Sequence, residues 1–291
     1  MKMTINVKNL SLHYKNHTAL HDINFALTEK KIYGLLGRNG AGKTSLLSIL
    51  ASFNEQSSGS LTINEKAPFE NADIMQQVAF LYDKDYKDET DKIVSLLQDV
   101  QHYRPNFDMD YAEELVAKFK LPKDKAVKHF SKGMQSALNV IIGLAGRTPI
   151  TIFDEVYLGM DAPSRDIFYK EVLADQQENP RMIILSTHLV SEMDYLFDDV
   201  LLLNNGKLLL HEEYDTLLAK GASITGSKEI VEEFVKDMEQ IHETQLGGTK
   251  SVMVYGTLRE EEKQAALAKG LEIAPLSLHE LFVHLTEEEA E

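Results

Sequence analysis

The sequence predicts an α/β fold: a parallel-sheet core with helices on its faces, an inserted helical block, and a small α+β unit after it. Three features carry this expectation. Apolar runs of strand length at 149–153 and 182–186 are each followed by a helical stretch, which suits a sheet buried on both faces. A glycine-rich loop, Gly37-Arg38-Asn39-Gly40-Ala41-Gly42-Lys43-Thr44, falls between an apolar strand at 31–36 and a helix at 45–52. From about residue 88 to 128 strand signals fade, and Ile93, Leu96, Leu97 and Val100, then Leu115, Val116 and Phe119, recur at helical spacing.

Taken in order, residues 4–7, 10–14 and 23–27 alternate apolar and polar residues and read as short strands, with another at 61–64. Residues 200–204 and 207–211 flank Asn205-Gly206, a hairpin signal. The first domain is expected to span 1–220, with a helical subdomain at about 88–145, and to end at the link Lys220-Gly221-Ala222-Ser223. The second, 221–291, is expected to place an amphipathic helix at 228–242, a strand at 251–255 and helices at 259–268 and 278–285. It reads as a dimerisation or regulatory module, or as a brace on the first domain.

Composition narrows the function classes. Among 291 residues 43% are apolar and 26% charged, as in a folded chain with a core. The absence of cysteine excludes a disulfide scaffold, a thiolate metal site and a cysteine nucleophile. The formal net charge is −16, and from Ser223 onward fifteen acidic residues face six basic ones, a net of −9. Such a surface repels phosphate backbones, so no nucleic-acid partner is expected. The first residues lack a signal-peptide pattern, and no run approaches the ~20 apolar residues that span a bilayer. Any membrane role is therefore expected to come through a partner.

The glycine loop matches the P-loop pattern. Its glycines let backbone N–H groups curl around phosphates, and the following helix N-terminus adds its positive dipole. Lys43 would place a charge on the β/γ-phosphates, and the Thr44 hydroxyl could ligate Mg²⁺. Downstream, Ile150-Thr151-Ile152-Phe153-Asp154-Glu155 is an apolar strand ending in two carboxylates. An Asp at that position holds Mg²⁺ in P-loop NTPases, and a second carboxylate beside it can act as general base on water.

With these residues in place, residues from about 4 to 215 resemble the ABC (ATP-binding cassette) ATPases. Phe130-Ser131-Lys132-Gly133-Met134 looks like that family's signature motif, and Gly159-Met160-Asp161 is similar to its D-loop. Ser186-Thr187-His188 resembles the switch region, and Tyr14 matches the aromatic residue that stacks on adenine. The resemblance implies a P-loop cassette with an antiparallel β subdomain. It also implies ATP and Mg²⁺ as cofactors, and two subunits closing head to tail on nucleotide. Glu155, His188 and Lys43 would be catalytic. Tyr14, Gly37 to Ser45 (with Arg38, Asn39, Gly40, Ala41, Gly42 and Thr44), Ser131, Lys132, Gly133 and Asp161 would form the nucleotide site, with Ser131, Lys132 and Gly133 at the γ-phosphate bound to the opposite subunit and the D-loop of Asp161 touching that subunit. Thr44, Asp154 and Asp83 would hold the metal.

The sequence departs from the family pattern at four places. Asp83 stands where the Q-loop glutamine is expected, Lys132 replaces a signature glycine, Met134 replaces a glutamine, and Val156 replaces the proline after Glu155. The Ser-Lys-Gly-Met signature and the segment 275–286 are similar to subunits serving ABC-2 type exporters. Partners implied are membrane permease subunits and a second ATPase subunit, homodimeric or paralogous, on the cytoplasmic face of the cell membrane. Two other readings stay open: an ABC ATPase without a transport role, and a P-loop kinase or GTPase switch, which would leave Ser131, Glu155, Asp161 and His188 without roles.

Overall fold

The structure, a computed structural model, describes residues 3–28 and 30–287. In chain order it begins with strands β1 (Ile5–Tyr14), β2 (His17–Leu27) and β3 (Ile32–Leu36), helix α1 (Lys43–Leu50), β4 (Ser58–Ile63), α2 (Ala72–Met75) and β5 (Val78–Leu81). Helices α3 (Ile93–Tyr103), α4 (Met109–Lys118) and α5 (Lys132–Ala145) follow, then β6 (Ile150–Asp154), α6 (Ala162–Glu178), β7 (Met182–Thr187), α7 (Val190–Met193), β8 (Asp199–Asn204) and β9 (Lys207–Glu213). The chain continues through α8 (Tyr214–Ala219), β10 (Gly221–Ser227), α9 (Lys228–Val235), β11 (Glu239–Leu246), β12 (Thr249–Tyr255), α10 (Glu260–Ala268), β13 (Glu272–Pro275) and α11 (Leu278–Leu285). Internal contacts group residues 1–188 with 195–211, and residues 189–194 with 212–291. Lys220, where the sequence suggests a link, thus falls within the second group.

The first unit is built on two sheets. The larger runs β5-β6-β7-β3-β8-β9, and from β5 to β8 its strands pair in parallel. Strands β3, β6 and β7 are buried at every position, which is why their sequences are mostly apolar, with Thr151, Asp154, Ser186 and Thr187 as buried polar exceptions. The smaller sheet, β2-β1-β4, is antiparallel. Its β1 is one strand where the sequence suggests two, because irregular register near the left-handed Asn9 breaks the alternation without breaking the pairing. Leu46, Leu47, Ile49 and Leu50 of α1 join one core with strand residues from both sheets, including Ile5, Leu20, Ile152 and Ile184. Helices α3, α4 and α5 occupy the inserted block, and α5 lies against β5 and β6.

The second unit carries a four-stranded antiparallel sheet, β11-β12-β10-β13. The order β10-α9-β11-β12-α10-β13 with this pairing is a split βαβ arrangement of ferredoxin-like type. Ala222, Ile224, Val252 and Val254 of the sheet pack with Val231, Val235, Ala266 and Leu271. Two expectations are corrected here. The helix foreseen at 228–242 stops at Val235, and residues 239–246 form β11 instead, because the Gly247-Gly248 turn folds them back onto β12. The supposed link at 220–223 opens β10, the strand shared by β12 and β13.

Candidate functional site

The P-loop leaves β3 and enters α1 with Gly42 at the N-cap, at φ 103. That backbone suits glycine, and a Cβ there would also lie 2.8 Å from the Ala19 carbonyl oxygen. No side chain caps α1, so its first N–H groups remain directed at the loop's concave face. A cavity of about 280 Å³ opens there, lined by Tyr14, Asn39, Gly40, Ala41, Lys43, Thr44, Ser45 and Glu155 among others. Tyr14 is 44% exposed at the end of β1, the position of a flat ring at a cavity mouth.

Lys43 is buried at the bottom of this cavity. Its ammonium donates to the carbonyl oxygens of Gly37 at 2.7 Å and Arg38 at 3.3 Å, and sits 3.3 Å from Glu155 Oε1. The same carboxylate oxygen lies 2.9 Å from His188 Nδ1. Glu155 follows β6 directly and adopts a left-handed backbone, φ 51, uncommon for a residue with a side chain. Its N–H donates to the Ser186 carbonyl at the end of β7. On the neighbouring residue, the buried Thr187 hydroxyl is paired at 2.7 Å with the Tyr157 hydroxyl, which fixes the chain just before His188. Three strand ends thus bring Lys43, Glu155 and His188 together.

Beside them the Thr44 hydroxyl donates to Asp154 Oδ2 at 2.8 Å. The other carboxylate oxygen, Asp154 Oδ1, is buried and has no hydrogen-bond partner among the described residues. A hydroxyl and a buried carboxylate with spare acceptor capacity form a hard-oxygen donor set of the kind a divalent cation takes.

The signature segment lies at the N-terminus of α5. Ser131 is its N-cap and accepts the Met134 N–H, while Asp161 caps α6 by accepting the Ser164 N–H at 2.9 Å. Hydrogen bonding by the Ser164 hydroxyl first, and then by its N–H, holds the exposed Asp161 carboxyl below the usual carboxylate range. Gly133 and the D-loop touch directly: a Cβ on Gly133 would lie 2.6 Å from the Gly159 carbonyl oxygen. Ser131, Lys132 and Asp161 are all exposed.

Not every expected residue joins the cluster. The Asp83 carboxylate forms an ion pair with Lys132, so it is engaged by the signature segment and not by the Thr44–Asp154 pair. Lys132, expected to face a phosphate on another subunit, is held by Asp83 of its own chain. Two features were not foreseen. One is the Lys43–Glu155 ion pair. The other is His17, which lines the cavity at the start of β2. Only the two-residue turn that separates His17 from Tyr14 could have signalled its position.

Comparison with known proteins bears on the family. The ABC transporter family profile matches residues 20–157. Over 231 residues the chain is 30% identical to an uncharacterized ABC transporter ATP-binding protein of Methanocaldococcus jannaschii, covering 77% of this chain and 83% of that one. It is 28% identical over 218 residues to the lantibiotic transport ATP-binding protein SrtF of Streptococcus pyogenes, covering 72% and 91%. Among solved structures, the ATP binding subunit of an ABC transporter aligns with a TM-score of 0.63 at 22% identity over 73% of this chain and 91% of that one. A nucleotide-free ATP-binding cassette from an ABC transporter aligns with a TM-score of 0.60 at 14% identity, over 73% and 92%. The fold, the phosphate loop with its paired carboxylates and these relatives lead to one conclusion: the chain belongs to the ABC transporter ATP-binding proteins, the nucleotide-binding ATPase subunits of transport systems.

Proposed function

We propose that this chain powers an ABC-2 type exporter, two copies closing head to tail on ATP beneath separate membrane subunits. The observation that carries the reading is the meeting of Lys43, Glu155 and His188 around one carboxylate oxygen at the mouth of the phosphate loop. In this reading Glu155 takes a proton from the attacking water, and Lys43 exchanges Glu155 for the β/γ-phosphoryl oxygens. His188, released from Glu155, turns to the γ-phosphate. Thr44 and Asp154 would hold Mg²⁺, which when bound neutralises charge on the phosphoryl oxygens. Asp83 is left out of that set because its carboxylate engages Lys132.

Tyr14 would stack on the adenine. The exposed edge formed by Ser131, Gly133 and Asp161 would meet the nucleotide held by the facing copy. The α5 N-terminus there suits a γ-phosphate, and neither copy alone would hold all the groups that stabilise the transferring phosphoryl. A groove of about 440 Å³ beside β5 and α3, lined by Phe80, Tyr82, Leu96, Val100 and Tyr103, would receive the membrane partner. Tyr103 is 78% exposed on its rim, an aromatic anchor of the kind enriched at interfaces. The export direction is supported by the likeness to SrtF, a lantibiotic transport subunit, and by the Ser131-Lys132-Gly133-Met134 signature.

The test has two arms. Specific ATPase activity should rise with protein concentration, as a site shared by two copies requires; strictly concentration-independent activity overturns the shared site. Reconstitution with the membrane subunits should raise turnover and support outward transport. Turnover indifferent to every membrane partner overturns the exporter.

A further inference from the structure

The second unit holds a cluster that nucleotide chemistry does not use. His242, His284 and Glu287 each present one ligand atom, and these atoms lie within 4.8 Å of one another. The rings of His242 and His284 stack at a centroid distance of 4.0 Å and an interplanar angle of 19°. His284 Nδ1 lies 3.1 Å from Glu287 Oε2. We propose that these three residues form a binding site for a divalent transition-metal ion such as Zn²⁺ or Co²⁺.

The local fold builds the cluster. His242 lies on β11 immediately after a register shift between Gln240 and His242, an irregularity of the kind that re-aims a side chain. His284 sits in the last turn of α11, and the Thr286 hydroxyl bonds back to the Phe282 carbonyl at 2.6 Å. Glu287 follows His284 by three residues, about one helical turn, which brings the two side chains to the same side. The two imidazoles are half-buried, and beyond the strand pairing of its backbone His242 stacks its ring on His284.

The donor set decides the class of ion. Two imidazoles and one carboxylate suit first-row transition metals, and three protein ligands leave one position of a tetrahedron for water. Ca²⁺ and Mg²⁺ take all-oxygen sets and are disfavoured. The surrounding charge helps: from Ser223 onward the net is −9. An ion here would tie the last helix to the edge strand of the sheet. That cross-link adds to the burial of Leu278, Leu281 and Phe282, which otherwise seats α11.

Calorimetric titration of the EDTA-treated full chain with ZnCl₂, without nucleotide or Mg²⁺, tests the site. Wild type should bind one ion per chain, and CoCl₂ should give the visible absorption of a four-coordinate site. His242→Ala and His284→Ala should each weaken binding at least tenfold, as loss of a ligand requires, with ATPase turnover unchanged. Glu287→Gln, at an exposed carboxylate, carries the same comparison should either histidine variant lose its circular-dichroism spectrum. Asp154→Asn should leave Zn²⁺ binding unchanged. No stoichiometric binding by wild type, equal affinity in the ligand variants, or loss of binding in Asp154→Asn overturns the proposal.

Discussion

Replacing Glu155 with Gln should separate two consequences of one carboxylate. Gln keeps the side-chain shape and an acceptor oxygen for Lys43 and His188 but removes the negative charge. Losing a general base costs 10²- to 10⁴-fold in rate, about 3–5 kcal/mol of transition-state stabilisation. The second effect runs the other way. At 3.3 Å the Lys43–Glu155 attraction is about 5 kcal/mol in an effective dielectric of 20. The Glu155 side chain is 22% exposed, and desolvation and screening reduce the net value to about 1 kcal/mol. Lys43 must leave this partner to reach a phosphate, so removing the charge should tighten ATP binding about fivefold. Phosphate release by a coupled assay and titration with a fluorescent ATP analogue read the two quantities. Turnover within threefold of wild type, or weaker ATP binding, would refute the assignment of Glu155 as base and counterion.

Other substitutions test the scaffold and the site's edges. Asp175→Ala removes the carboxylate 2.5 Å from the guanidinium of Arg181, which is only 5% exposed. The stranded charge should cost about 3–5 kcal/mol and lower the melting temperature by on the order of 10 °C, read by calorimetry. Gly133→Ala drives a methyl group into the Gly159 carbonyl, 2.6 Å away. We expect a loss of about 1–3 kcal/mol in thermal unfolding and at least a tenfold fall in kcat, since both segments must shift. Tyr14→Ala should raise KM for ATP roughly tenfold, the low end of what a base–aromatic stack contributes, and leave kcat within twofold. A changed kcat with unchanged KM would remove Tyr14 from the adenine site.

Much of the first unit was legible because its strands are buried on both faces and its loop chemistry is local. Burial on both faces makes β3, β6 and β7 mostly apolar, apart from Thr151 and the strand-end Asp154, Ser186 and Thr187, and a phosphate loop cannot do without its glycines. The helix expected over 228–242 failed for a physical reason. Ile230, Val231, Phe234, Val235, Met238 and Ile241 keep a helical rhythm, but β12 offers residues after Val235 a hydrogen-bonded partner across a two-glycine turn. Local amphipathicity lost to a tertiary pairing that periodicity does not record. The same limit hid the Asp83–Lys132 and Lys43–Glu155 pairs. Their members lie far apart in sequence, and only the folded chain brings each pair together.

The contact between Gly133 and Gly159 has a consequence for exchanging parts between cassettes. The start of α5 and the loop before α6 meet backbone to backbone, with the Lys132 side chain closing over Gly159. They behave as the two halves of a single tooth. A graft that imports residues 131–136 from another protein while keeping residues 157–161 would seat one half against a foreign surface. Only paired transplants of both segments should mesh.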